Sequence, residues 1–230
     1  LRLSHEVGES SVLDLPETGS LRSGDIEAVW LRRPGRLDVS GLVPDAHLEF
    51  VTREWRDCLW GWLDGLDARM VSPLAAQERA TKPRQLDAAR AAGLRVPRTN
   101  DVDTWRDFVA RFDGEVIHKT LTQTRLMMMQ TLPCGSGDEA FLDSLAVSPV
   151  ILQERIRGPR DVRLTIIGSE VFGAVMRTPP DVADCRLVLG SSYEVWQVPT
   201  GTESQLLDMM ERLGLVFGTV DLKIAADGEP

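Results

Sequence analysis

Residues Val150–Arg177, VILQERIRGPRDVRLTIIGSEVFGAVMR, decide how the rest of the chain reads. Val150, Ile151 and Leu152 form an apolar run that reads as a buried strand and stops on the polar pair Gln153-Glu154. Gly158-Pro159 then punctuates the chain. Two β-rich segments follow, Asp161–Ile167 and Glu170–Arg177, with Gly168-Ser169 between them as a two-residue hairpin turn. Their valines, isoleucines and threonine suit a half-buried pleated surface. Glu154, Arg155, Arg157, Arg160, Asp161 and Arg163 crowd the strand–loop–strand junction. By charge alone this is either a solvated turn with surface ion pairs or a site.

Bulk properties narrow the choice. The 230 residues suffice for one large domain or for two to three small lobes with ample core. A net charge of −9 argues against general nucleic-acid binding, so a nucleotide site needs local positive charge against the global field. No apolar run is long enough to span a membrane, and the start lacks a signal-peptide pattern. Cys58, Cys134 and Cys185 are scattered and odd in number, which favours a reducing cytoplasm and no structural zinc. Of the 26 basic residues only Lys82, Lys119 and Lys223 are lysines. Where arginine serves every ordinary surface cation, a retained lysine suggests a need for a compact ammonium, the form that suits phosphate contact.

Outward from the central stretch, Ala28–Leu31 reads as a short strand before Arg32-Arg33-Pro34. Pro44 to Asp67 reads as a helix on the stripe Leu48, Val51, Trp55, Leu59, Trp62 and Leu66. With Trp60 added, its tryptophans mark a packing helix facing the core or another subunit. Met70–Ala80 reads as a connection. A helix from Lys82 to Ala92 closes on Gly93, and Asp103 to Phe112 is a short amphipathic helix. Glu115–Leu121 is a strand with Lys119 on one face and His118, a packed residue, on the other. Leu126–Thr131 reads as a buried strand, Pro133–Gly137 as a turn and Glu139–Leu145 as a short helix. Downstream, Ser204–Leu213 is a helix capped by Gly214. Val216–Ala225 is a strand with Asp221 in its middle, and an acid inside an apolar strand is costly unless paired or bound to a metal.

The ordered string QERI, DVRLTIIG, VFGAV resembles the QE-x-I … D-x-R … V-x-G core of ATP-grasp ligases, particularly the microviridin-type (graspetide) branch that macrocyclises ribosomally made peptides. VWLRRP resembles that branch's W-x-R-R-P segment, and KPRQL…GLRVPRT resembles the opening of the ATP-grasp fold. The likeness runs over residues 28–228. It implies an α/β (α+β) fold: two α/β lobes clasping ATP, preceded by a smaller N-terminal α/β domain. Residues 1–80 would form that domain, 81–155 the first lobe and 156–230 the second.

The resemblance also implies roles. Lys82 and Lys119 would hold the phosphates, and the hydroxyl-rich Thr120–Thr124 is either a loop covering them or an ordinary loop. Adenine would lie against Gln153 and the backbone of Glu154, Arg155 and Ile156, with Asp161 near the ribose. Arg163 and Arg186 would face the γ-phosphate and an acyl phosphate, and Asp221 would ligate Mg2+. Two departures stand out: Thr120 occupies a position where proline is usual, and Cys185 one where tryptophan is usual in D-W-R. The family's strand bearing the further metal ligands, Glu and Asn, would follow Pro230, so the chain is expected to be incomplete there and also before Ala28.

The activity implied is ATP-dependent ligation of Asp or Glu side chains to Ser or Thr hydroxyls (ester) or Lys amines (amide) in a precursor peptide with a leader segment. The alternatives are a RimK-like ligase adding amino acids to a protein tail, or a non-catalytic peptide-binding domain. The partners implied are the peptide, ATP and a second copy in a homodimer, with no nucleic acid and no membrane. A P-loop kinase or serine hydrolase is disfavoured, since the chain has no GK dipeptide and no G-x-S-x-G.

Overall fold

The computed structural model describes residues 2–4, 10–15, 17–32, 38–100, 105–112, 115–121, 131–134, 147–179 and 192–225. They fall into two compact units, Leu1–Arg79 with Gly214–Val216, and Ala80–Leu213 with Phe217–Pro230.

In the first unit, β1 (Arg2–Ser4), β2 (Val12–Leu15) and β3 (Gly19–Arg22) form an antiparallel sheet in that order. A parallel pair follows, β4 (Ala28–Trp30) with β5 (Arg69–Val71). The helix α1 (Leu48–Asp64) connects them, as a parallel pair requires. Trp62 Nε1 donates to Ser11 Oγ at 2.6 Å and Arg56 Nη2 to Glu78 Oε1 at 2.7 Å, tying α1 to the first sheet and to α2 (Leu74–Arg79). Two expectations change here. The stretch Met70–Ala80 is not a bare connection: it supplies β5 and α2, whose Leu74 is buried. A three-residue strand owes its existence to a partner about forty residues away rather than to its own pattern. The α1 stripe is amphipathic as predicted, yet no α1 residue is fully buried, and Phe50 stands exposed.

Among the described residues the second unit holds two four-stranded, fully antiparallel sheets. The first has the order β6 (Thr99–Asn100), β9 (Val150–Glu154), β7 (Val116–Thr120), β8 (Leu132–Cys134). Helix α4 (Trp105–Arg111) covers one face, where Phe108 and Val109 join Val116, Leu152 and Cys134 in a core. His118 lies on that face and is buried, opposite to Lys119 as the period of two requires. Pro133 belongs to β8 rather than to a turn. Its missing N–H is tolerated because, among the described residues, β8 is an edge strand. The expected strand Leu126–Thr131 lies almost wholly outside the described residues, and the helix Glu139–Leu145 entirely so.

The second sheet has the order β12 (Tyr193–Trp196), β11 (Glu170–Arg177), β10 (Arg160–Ile167), β13 (Phe217–Ile224). The β10–β11 hairpin turns on Gly168, whose φ of +60° is free of strain only for glycine. Val162, Leu164 and Ile166 are buried. So are Leu206, Met209, Met210 and Leu213 of α5 (Thr200–Leu213), which begins four residues earlier than its sequence pattern suggests. Burying each such side chain contributes about 1.5–3 kcal/mol. A Cβ added at Gly218 on β13 would lie 3.0 Å from Met210 Cε, which places α5 against this sheet. Helix α3 (Lys82–Ala91) carries Gly93 past its end at φ +87°, and Gln205 of α5 donates to the Gly93 carbonyl at 2.9 Å.

Candidate functional site

The predicted residues gather into two groups, one on each sheet of the second unit. On the first sheet, Lys119 Nζ donates to Gln153 Oε1 at 2.7 Å across neighbouring strands. Lys82, at the first turn of α3, donates from Nζ to the main-chain carbonyl of Thr120, the residue beside Lys119. Two of the three lysines thus meet at the end of β7. Both of these acceptors are neutral carbonyl oxygens rather than carboxylates.

The connection out of β9 is tethered residue by residue. Glu154 N–H donates to the Arg98 carbonyl at 2.8 Å, and its carboxylate accepts from Arg98 N–H at 3.1 Å. Arg155 N–H donates to the Glu115 carbonyl at 2.9 Å. Arg157 grips the Glu115 carboxylate at two points, Nε–Oε2 2.9 Å and Nη2–Oε1 2.6 Å. That grip holds the Glu115 carboxyl below the usual range against the opposing effect of burial, and the charges of Arg157 and Arg155 add to it. Gly158 has no room for a side chain: a Cβ would fall 1.9 Å from the Ile224 carbonyl oxygen. These bonds occupy the N–H groups of Glu154 and Arg155, so the predicted adenine contacts along 154–156 narrow to carbonyls and to Ile156.

On the second sheet the residues form a ladder in register. Arg163 pairs with Asp221 and Asp161 with Lys223 across β10 and β13. Arg163 holds Asp221 by Nε–Oδ1 at 2.8 Å and Nη2–Oδ2 at 3.0 Å. Lys223 Nζ donates to Asp161 Oδ2 at 3.0 Å, with each side chain only 20% exposed. Asp221 lies in the middle of its strand as expected, and it is paired, one of the two conditions that its place in an apolar strand calls for. Its side chain is 59% exposed, because Val220, Leu222 and Ile224 take the face of β13 opposite to Asp221. Its charge is offset by Arg163 on the same outward face.

Lys223 and Glu115 were not singled out as partners by the sequence. The scarcity of lysine flags Lys223, but its partner depends on β13 lying beside β10, some sixty residues away. Arg186, with Asp184 and Cys185, lies outside the described residues.

The donor set suits a triphosphate and a hard cation. Among the described residues no group of three or more His, Cys, Asp or Glu side chains could hold a metal by itself. A lone carboxylate such as Asp221 nevertheless fits magnesium, which is commonly held by one or two carboxylates plus substrate phosphates.

No protein-family model matches the sequence, and no curated protein does. Solved structures do. The macrocyclase MdnC of Microcystis aeruginosa MRC, bound with precursor peptide MdnA, superposes with a TM-score of 0.87 at 24% identity, over 99% of this chain and 76% of that one. A RiPP-associated ATP-grasp ligase of Chryseobacterium gregarium, in complex with ADP and a leader and core peptide, gives 0.83 at 19% identity over 99% and 74%. The ATP-grasp ligase PsnB, with a minimal precursor, Mg and ADP, gives 0.70 at 23% identity over 97% and 75%. The chain has the ATP-grasp fold.

Proposed function

We propose that this chain is an ATP- and Mg2+-dependent ligase that macrocyclises a ribosomally made precursor peptide, joining Asp or Glu side chains to Ser or Thr hydroxyls or to Lys amines. The observation that carries the reading is the match over 99% of the chain to a macrocyclase bound with a precursor peptide, combined with two lysines meeting at the end of β7.

A carboxylate is a poor electrophile and must be activated. Its oxygen attacks the γ-phosphorus and ADP departs; the incoming hydroxyl or amine then attacks the acyl carbon of the acyl phosphate, gives up a proton and expels inorganic phosphate, leaving the ester or amide. Negative charge builds on the transferring phosphoryl group, and fixed cations offset it without reorganisation. Lys82 and Lys119 bind the phosphates in this scheme. Arg163 and Arg186 act at the γ-phosphate and the acyl phosphate. Gln153 and the backbone of Glu154, Arg155 and Ile156 line the adenine, with Asp161 towards the ribose. Asp221 would hold magnesium, which neutralises phosphate charge when bound. Residues 1–80 form the N-terminal domain, 81–155 the first lobe and 156–230 the second.

The enzyme works as a cytoplasmic homodimer in this reading, supported by the half-buried tryptophan stripe of α1. Among the described residues no helix is long and apolar enough to cross a membrane. The test is incubation with ATP, Mg2+ and the small peptide encoded beside this gene, followed by mass spectrometry. Loss of one water per bond formed is expected. A mass gain of an amino acid would instead identify a ligase that extends a protein tail, and an unchanged peptide with no ADP produced would overturn catalysis.

A further inference from the structure

Gln153 is polar and 3% exposed, an expensive residue to bury unless both ends of its amide are satisfied. Both are. Its Oε1 accepts from Lys119 Nζ at 2.7 Å, its Nε2 donates to Thr99 Oγ1 at 3.0 Å, and the Thr99 hydroxyl donates onward to the Pro97 carbonyl at 3.0 Å. The register explains the line: Gln153 is paired with Thr99 on one side and with Ile117 on the other, so all three side chains share a face with Lys119.

The direction of this chain is fixed by chemistry. An ammonium only donates, so Gln153 must turn its oxygen to Lys119 and its nitrogen away. The nitrogen then needs an acceptor, which the Thr99 hydroxyl supplies because its own proton is committed to Pro97. Without that acceptor the amide loses the contact that holds its nitrogen away from the ammonium.

We propose that Thr99, on the edge strand β6, is a positioning residue that sets the orientation of the Gln153 amide and through it the place of the Lys119 ammonium. That the ammonium so placed receives nucleotide phosphate rests on the ligase reading above.

The protein's three lysines make the test direct. With 13C-lysine the Cε signals of Lys82, Lys119 and Lys223 can be followed individually, assigned by Lys→Arg variants. In nucleotide-free protein, Thr99→Val should move the Lys119 signal while those of Lys82 and Lys223 stay, and Thr99→Ser should restore it. Calorimetry with ADP and Mg2+ should then show Thr99→Val binding about tenfold more weakly, about 1.4 kcal/mol, with Thr99→Ser near the wild type. A Lys119 signal indifferent to Thr99→Val overturns the relay. Movement of all three signals overturns it too, since that would report a general disturbance of the fold. A wild-type protein whose lysine signals ignore ADP and Mg2+ overturns the nucleotide reading, and with it the purpose given to the relay, while the first arm still reads the contact.

Discussion

Arg163 and Asp221 face each other across β10 and β13 in a two-point ion pair, and both are largely open to solvent, at 46% and 59% side-chain exposure. An exposed pair of this kind contributes at most about 1 kcal/mol to stability. A structural role alone is therefore a weak reason for two charges in matched register beside a second, more buried pair, Asp161–Lys223.

Asp221→Asn keeps the shape and removes the charge. The magnesium concentration needed for half-maximal ATP turnover should rise sharply, while the urea midpoint moves little. Arg163→Ala should cost about 3 kcal/mol in the barrier, on the order of a hundredfold in kcat. An unaltered magnesium titration for Asp221→Asn would mean that the aspartate only balances Arg163.

Lys119→Ala removes an ammonium that sits on a half-buried strand face and is held by a side-chain carbonyl. ATP turnover should fall by at least about a hundredfold, the scale of one good charge contact. The circular dichroism spectrum should not change, because the core residues of β7, Val116 and Ile117, are untouched. Retained turnover would remove Lys119 from the phosphate site.

Gly158→Ala forces a methyl onto the Ile224 carbonyl at the end of β13. Backbone, unlike a flexible side-chain tip, cannot step aside cheaply. A loss of about 1–3 kcal/mol or more is expected in urea denaturation. A midpoint equal to that of the wild type would show that the connection between β9 and β10 has slack.

Glu115 has its carboxyl held below the usual range by Arg157. A group whose folded value is lowered adds stability that is present above its ordinary value and lost as pH falls through the folded one. Glu115→Gln should thus be slightly less stable than the wild type at neutral pH. The deficit should stay under about 1 kcal/mol, since both partners are nearly half exposed. It should close as the pH drops below the ordinary carboxylate range. A deficit constant across paired urea titrations down the acid limb would assign the effect to packing.

The sequence by itself determined the local elements whose pattern is strong. The β10–β11 hairpin around Gly168-Ser169, the Lys82 helix ending at Gly93, the strand under Lys119 and the strand through Asp221 follow from periods of two and 3.6 and from glycine's tolerance of positive φ. Tertiary structure alone decided β5, the edge strand through Pro133, the exposure of Asp221, and the partners Lys223 for Asp161 and Thr99 for Gln153. Periodicity assigns a residue to a face but does not say which strand lies beside it. Strand register across some sixty residues of chain is set by how both apolar faces are buried together, and the charges on the outward face follow from that pairing.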